Sequence, residues 1–257
     1  MKTYLYAGGF AAFLSAAAAA LRDGLGPDEC GFLPATVRTA PDLFAEPTPA
    51  PADEQAALGL WEELERAAGI QTRRLVRLAH AHAWDGGRDG SVFACLVSAL
   101  RHGRDGFDRL SDPRLLAARK RAERVLLETH RFQGLVRLRR TSAGPYYSPF
   151  NPDHDILAFL APHFSRRYRD QTCILHDLRR AKAAVCRDGR TDFLDFSAKQ
   201  PECRETAPAY QAAEDEPYFQ RLWQDYFSAI ALRERRNPSL QRQHVPLRYR
   251  EFLIEFE

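Results

Sequence analysis

The hydrophobic period of this chain changes twice, and that order of periods limits the folds open to it. Apolar residues first recur at helical spacing: Leu60, Trp61 and Leu64, then Leu75, Leu78 and Ala79, then Phe93, Leu96, Val97 and Leu100. A longer helix is predicted from about Ser111, with Pro113 in its first turn, through Ala122, Val125 and Leu126 to Gly134. The pattern then alternates. Leu135 to Arg140 reads as a strand, Thr141 to Pro145 as a turn and Tyr146 to Phe150 as the partner strand. Asp153 or Asp155 is expected to cap a helix holding Leu157, Leu160 and Phe164, with short strands at 173–178, 183–186 and 192–196. Helical spacing returns at Phe219, Leu222, Trp223, Tyr226, Phe227 and Ile230, and Asn237-Pro238 stops it. The expected class is α+β: a helical N-terminal half, a small mostly antiparallel sheet with a packed helix, and a helical C-terminal return. Two regions are expected, 1–110 and 111–257, with a Pro-rich connector at 40–53 and a polar one at 197–217.

The first residues invite a different reading. Thr3 to Leu21 is uncharged and ends in an alanine tract, which resembles a secretory leader. Phe10, Phe13, Leu14, Ala17 and Leu21, however, share one helical face, and Gly8-Gly9 follows a strand-like Tyr4-Leu5-Tyr6. A strand, a tight turn and a core helix are therefore expected, with no membrane span. Cys30, Cys95, Cys173, Cys186 and Cys203 are widely spaced and form no Cys-x-x-Cys pair, which fits reduced thiols in a cytoplasmic protein.

Charge is uneven beneath a formal total of +3. Residues 42–65 carry seven acids and no base, whereas 101–140 are net +7 and both 163–190 and 233–250 are net +5. Only four of the 37 basic residues are lysine; the remainder are arginines, which bind phosphate and carboxylate in planar, bidentate fashion. Basic segments favour a polyanionic partner, and DNA is the one expected. Arg131, Arg137 and Arg139, with Tyr146 and Tyr147 arriving from the facing strand, form the predicted surface for phosphate contact and base stacking. Arg179, Arg242 and Arg248 extend it.

Phosphate-binding Gly-rich loops, GxSxG and HExxH are absent from the sequence, which counts against an ordinary nucleotide hydrolase, esterase or zinc protease. Acid/base candidates are His130, His154, His163 and Asp177, the last expected to share a strand face with Arg179. A metal reading would group the four histidines at 130, 154, 163 and 176 with Asp155 or Asp177. Cys173 and His176 stand at odd spacing on one strand, which parts their side chains, so no metal and no cofactor is expected. His80 and His82, on a plain amphipathic helix, are given no chemistry.

Several segments together resemble a known family. TYLYAGGFAAFLSA, ETHRFQGLVRLR, the block from Asn151 to Gly189 and RNPSLQRQHVPLRYREFL are similar to blocks of a bacterial family described as DNA-metabolism or DNA-repair proteins. His130, Arg131, Gly134, His154, His163, Phe164, Asp177, Arg179, Arg242, Pro246, Arg248 and Tyr249 match those blocks. Ala7 stands where the family usually has Asp, and Arg250 where it often has Trp. The resemblance implies a DNA-repair setting and a radical-SAM partner similar to photoproduct lyases; some relatives are fused to a uracil-DNA glycosylase-type domain. It assigns no reaction. The leading expectation is thus a DNA-binding accessory of repair. Two alternatives stand beside it: an enzyme acting on damaged bases, and an interaction module without DNA affinity that docks through the acidic connector or the Trp223 helix.

Overall fold

Gly8 and Gly9, both at positive φ (104° and 80°), turn the chain from strand β1 (Lys2–Tyr6) directly into helix α1 (Phe10–Arg22). A Cβ on Gly8 would also lie 3.1 Å from Thr36 Cγ2, so the loop needs glycine for both conformation and space. The computed structural model describes residues 1–37, 47–106, 108, 111–195, 211–235 and 237–256. Cys203 and most of the two predicted connectors lie outside them. The described chain divides into two units, Met1–Leu126 and Leu127–Glu257.

In the first unit β1 is the centre of a parallel sheet, flanked by β2 (Cys30–Pro34) and by β3 (Thr48–Pro49). A parallel neighbour requires a crossover, and α1 supplies it between β1 and β2. Its residues Phe13–Ala20 are all buried; the alanine tract is a core helix whose small side chains allow close approach. Asp53 caps α2 (Glu54–Ala81) by accepting from the Ala56 amide at 2.9 Å. The two helices expected between Leu60 and Ala79 are present as the two halves of this range, which meet at Gly69, whose φ of 83° breaks the helical path. Helix α3 (Arg88–His102) buries Val92, Phe93, Leu96 and Val97, and Phe93 meets Phe32 at 4.9 Å. Phe13 and Phe93 are fully buried, each contributing roughly 1.5–3 kcal/mol of hydrophobic free energy.

Helix α4 (Pro113–Leu135) begins at its proline, two residues after the start near Ser111 read from the pattern, and contributes residues to both units. The division therefore falls inside this helix, 16 residues beyond the 110/111 boundary read from the pattern. The second unit holds a five-stranded sheet in the order β4 (Arg139–Arg140), β5 (Tyr146–Phe150), β6 (Cys173–Asp177), β7 (Lys182–Arg187), β8 (Arg190–Asp195). Three pairings are antiparallel. The β5–β6 pair is parallel, and α5 (Leu157–Arg167) makes its crossover, burying Leu157, Leu160, Ala161 and Phe164. The α+β class holds.

Three local expectations are corrected. The strand over 135–140 shrinks to Arg139–Arg140, because α4 continues to Leu135 and Arg137 turns its guanidinium back to the Gly134 and Val136 carbonyls and to Glu255. Neither Asp153 nor Asp155 caps α5; its N-cap is Ile156, and Asp153 is engaged by arginines. The end of the second connector is structured, since Ser142 donates to the Gln211 carbonyl and Ala213 to that of Arg140 along the outer edge of β4. Helices α6 (Glu216–Ile230) and α7 (Pro238–His244) follow, then short 3-10 turns to Phe256. The cysteines are less scattered than their spacing suggests: Cys173 faces Cys186 in the β6–β7 register, both are buried free thiols, and burial pushes Cys173 up to about 12.

Candidate nucleic-acid interface

Two buried polar networks and one exposed basic cluster account for most of the chemistry-bearing residues. The first network lies in the N-terminal unit, where no chemistry was expected. Arg88 Nε donates to Asp89 Oδ1 at 2.6 Å, its Nη1 to the His82 carbonyl at 3.2 Å, and its Nη2 to Tyr6 Oη at 3.1 Å. Tyr6 donates in turn to Asp89 Oδ2 at 2.7 Å, and His80 Nε2 lies 3.5 Å from Arg88 Nη2. Asp89 is 1% exposed, so a bare carboxylate there would be prohibitive; the Arg88 guanidinium and the Tyr6 hydroxyl make it tolerable. Burial, then the Arg88 charge, drive His80 well below its ordinary value and keep it neutral between Phe10 and Phe13.

A depressed histidine gives a definite sign. The unfolded ring titrates near pH 6.5, so its contribution is fully present above that value and is lost as pH falls through the folded one. Between about pH 7.5 and about pH 5, wild-type stability is expected to fall more steeply than that of His80→Phe. His82, also lowered by burial, remains in both proteins and cancels in the comparison. Urea midpoints at the two pH values measure this; equal slopes would refute a neutral buried His80.

The second network ties down the loop at 151–155. Glu128, 3% exposed, accepts from the backbone amides of Asp153 (2.7 Å) and His154 (2.8 Å) and from Tyr249 Oη (2.6 Å). Asp153 accepts from Arg248 Nε at 2.8 Å and Arg179 Nη1 at 3.2 Å. Asp177 does not pair with Arg179. Strand β6 ends at Asp177 and the chain turns through Ala181 at φ 50°, which brings Arg180 back instead: its amide and Nη1 donate to Asp177 at 3.1 and 3.0 Å, while Arg179 points away to Asp153. Asp177 is completely buried, and burial raises its pKa against the pull of Arg180.

Most of the predicted DNA-contacting residues are committed within the fold. Arg137 pairs with Glu255 and lies over the Trp223 ring at 5.1 Å, and Arg131 donates to the Gln243 carbonyl. Burial alone would raise the Glu255 carboxyl, but the Arg137 hydrogen bond holds it below the ordinary range. Tyr147 is buried and hydrogen-bonded to His176 Nδ1 at 2.8 Å, while Tyr146 and Arg139 are half-buried on neighbouring strands. Arg242 and His130 are exposed, and His154 is half-buried. Among the described residues no three His, Cys, Asp or Glu side chains are grouped to hold a metal ion. A cavity of about 320 Å³ in the first unit is lined by Arg114 and Arg121, but Asp112 and Asp85 already engage these guanidiniums.

The exposed cluster was not singled out residue by residue. Asp188 and Gly189, at φ 52° and 74°, form the two-residue turn between β7 and β8, as a type I′ loop requires. That register sets Arg187 directly opposite Arg190. The end of α5 packs beside it: Ser165 Oγ donates to the Arg190 carbonyl at 3.1 Å, and a Cβ on Gly189 would lie 3.4 Å from Arg169 Nε. Arg166 and Arg167 are exposed on the last turn of α5. Arg187 has a long 4.0 Å pair with Asp188; among the described residues no carboxylate bridges Arg166, Arg167, Arg169 or Arg190. His163, half-buried and edge-on to Phe164, is lowered by burial and then by Arg167 and Arg166, which registers the positive potential. The signal was available in Arg187-Asp-Gly-Arg190, a hairpin turn flanked by like charges.

Comparison with protein families matches residues 87–255 to a domain of unknown function, DUF4130. The chain belongs to the DUF4130 family. The DUF4130 match takes in both the loop at 151–155 and the arginine cluster, together with the three later blocks of resemblance but not the opening one. No curated protein and no solved structure matches the chain. Among the described residues of this DUF4130 protein, no helix is long and apolar enough to cross a membrane.

Proposed function

We propose that this protein binds DNA through the arginine cluster at the end of α5 and the β7–β8 turn, as an accessory of bacterial DNA repair. The observation that carries the reading is the Arg187–Arg190 pair. Like charges directly opposite on neighbouring strands are destabilising, and an anion between them removes the penalty. Arg166, Arg167 and Arg169 add three further cations beside the same turn, giving a surface suited to successive phosphates rather than to one carboxylate. The repair setting and a radical-SAM or glycosylase-type partner rest on the sequence resemblance. Base chemistry has less support, because Asp177 is sealed from solvent with its oxygens on Arg180.

Fluorescence anisotropy with labelled single- and double-stranded DNA tests the proposal. Affinity is expected to fall with salt, and Arg187→Ala/Arg190→Ala to reduce the slope of log K against log salt by roughly 1.5–2. Arg179→Ala, whose partner is internal, should leave the slope unchanged. Absence of binding at low salt, or an unaltered slope in the double variant, removes the reading.

A further inference from the structure

Helix α6 is held to its unit by one narrow face. Glu216 is its one buried residue; Trp223 Nε1 donates to Glu255 Oε2 at 3.2 Å, Gln224 Nε2 to the Ile254 carbonyl at 2.7 Å, and Phe227 meets Phe256 at 6.1 Å. The adjoining face is apolar and open. Phe219 (51%), Leu222 (51%), Trp223 (38%), Tyr226 (54%) and Ile230 (56%) fall at i, i+3, i+4, i+7 and i+11, one continuous seam along the helix. This spacing is that of helix-to-helix packing, and a 15-residue helix with so little of itself buried gains little stability from its own unit.

We infer that this seam is the interface with a second copy of the chain, formed by antiparallel pairing of α6 with α6. Area is the first argument. With Tyr218 the exposed parts of these side chains amount to roughly 500–600 Å² per copy, so pairing can remove at most about 1,000–1,200 Å² in total, which reaches the lower bound of a stable interface. Self-complementarity is the second. A two-fold axis between Leu222 and Trp223 sets Phe219 against Tyr226 of the other copy and Leu222 against its Trp223, four large side chains at the centre of the pair, while Ile230 lies at its end, level with Asp215. The same axis sets Arg221 level with Gln224 of the second copy and Gln220 level with its Asp225, so no like charges meet along the pair. Nucleic acid fits the seam poorly: α6 carries Glu216 and Asp225 against Arg221, and among the described residues the one cation on the five, Arg137 over Trp223, is already paired with Glu255.

Sedimentation velocity on the full chain, freed of nucleic acid, from low to high micromolar concentration tests the inference. A species of twice 29.2 kDa is expected. Leu222→Glu/Tyr226→Glu should weaken self-association by at least about 100-fold with unchanged circular dichroism and melting temperature, because both side chains face solvent within one copy. In a Cys203→Ser background, Phe219→Cys should cross-link to Tyr226→Cys faster than either links to itself. A monomer throughout the range, a dimer that survives the double variant, a dimer that needs added DNA, or preferential like-with-like cross-linking would each overturn it.

Discussion

Replacing Asp89 by alanine is expected to lower the free energy of unfolding by about 3–5 kcal/mol, because it leaves the Arg88 guanidinium buried beside Tyr6 without its counter-charge. Arg88→Ala should be comparably severe. The double variant should cost clearly less than the sum, since each single change orphans the other residue. Urea unfolding of the three proteins gives the cycle, and additive losses would show that the pair acts independently. Tyr6→Phe removes one hydrogen bond from each partner and is expected to cost less, about 1–2 kcal/mol. The ordering Asp89→Ala above Tyr6→Phe distinguishes loss of charge compensation from loss of shape.

The second large effect is expected at Glu128. One carboxylate satisfies two backbone amides and a tyrosine hydroxyl, all removed from water, so Glu128→Ala should cost about 3 kcal/mol or more. The loss should be local before it is global. With Tyr249 released from Glu128, the turn at Leu247–Phe252 loses its deepest anchor, and limited proteolysis should cut there faster than in wild type. Glu128→Gln is a stringent companion: the amide keeps the volume but can present one acceptor oxygen, not two, to the facing donors. It should recover little of the stability. Wild-type stability in Glu128→Gln would mean that the carboxylate charge is not what holds the loop.

These two sites show where sequence reasoning succeeds and where it stops. Strands β6, β7 and β8 were placed to within two residues at each described end, because alternation with β-branched and aromatic residues is a local signal. Pro113 marked the start of α4 for an equally local reason, its fixed φ and missing amide proton. Strand β3 was illegible: two residues in a proline-rich stretch have no period, and only pairing with β1 makes them a strand. The Tyr6–Asp89 bond spans 83 residues, and nothing near Asp89 in Gly-Gly-Arg-Asp-Gly-Ser distinguishes it from a surface charge. Arginines were legible as a class but not by destiny. Residues 137, 179 and 248 looked available because their carboxylates, Glu255 and Asp153, lie between 26 and 118 positions away. In the basic segment 163–190 the charge count was correct, yet the convergence of Arg169 with Arg187 and Arg190 depends on α5 crossing back to the sheet.

The placement of α3 has a practical corollary for dissecting the protein. The family match starts at Gly87, one residue before this helix, whereas Phe93 packs on Phe32 and Asp89 bonds to Tyr6 within a single unit. Family boundary and folding boundary therefore do not coincide. A fragment trimmed to residues 87–255 would carry Val92, Phe93, Leu96 and Val97 without the strands and helices that shelter them, and would retain a carboxylate–guanidinium pair stripped of its phenol. Expression trials built on the family-matched segment alone should return aggregated material, and the shortest well-behaved N-terminal boundary should be β1 itself.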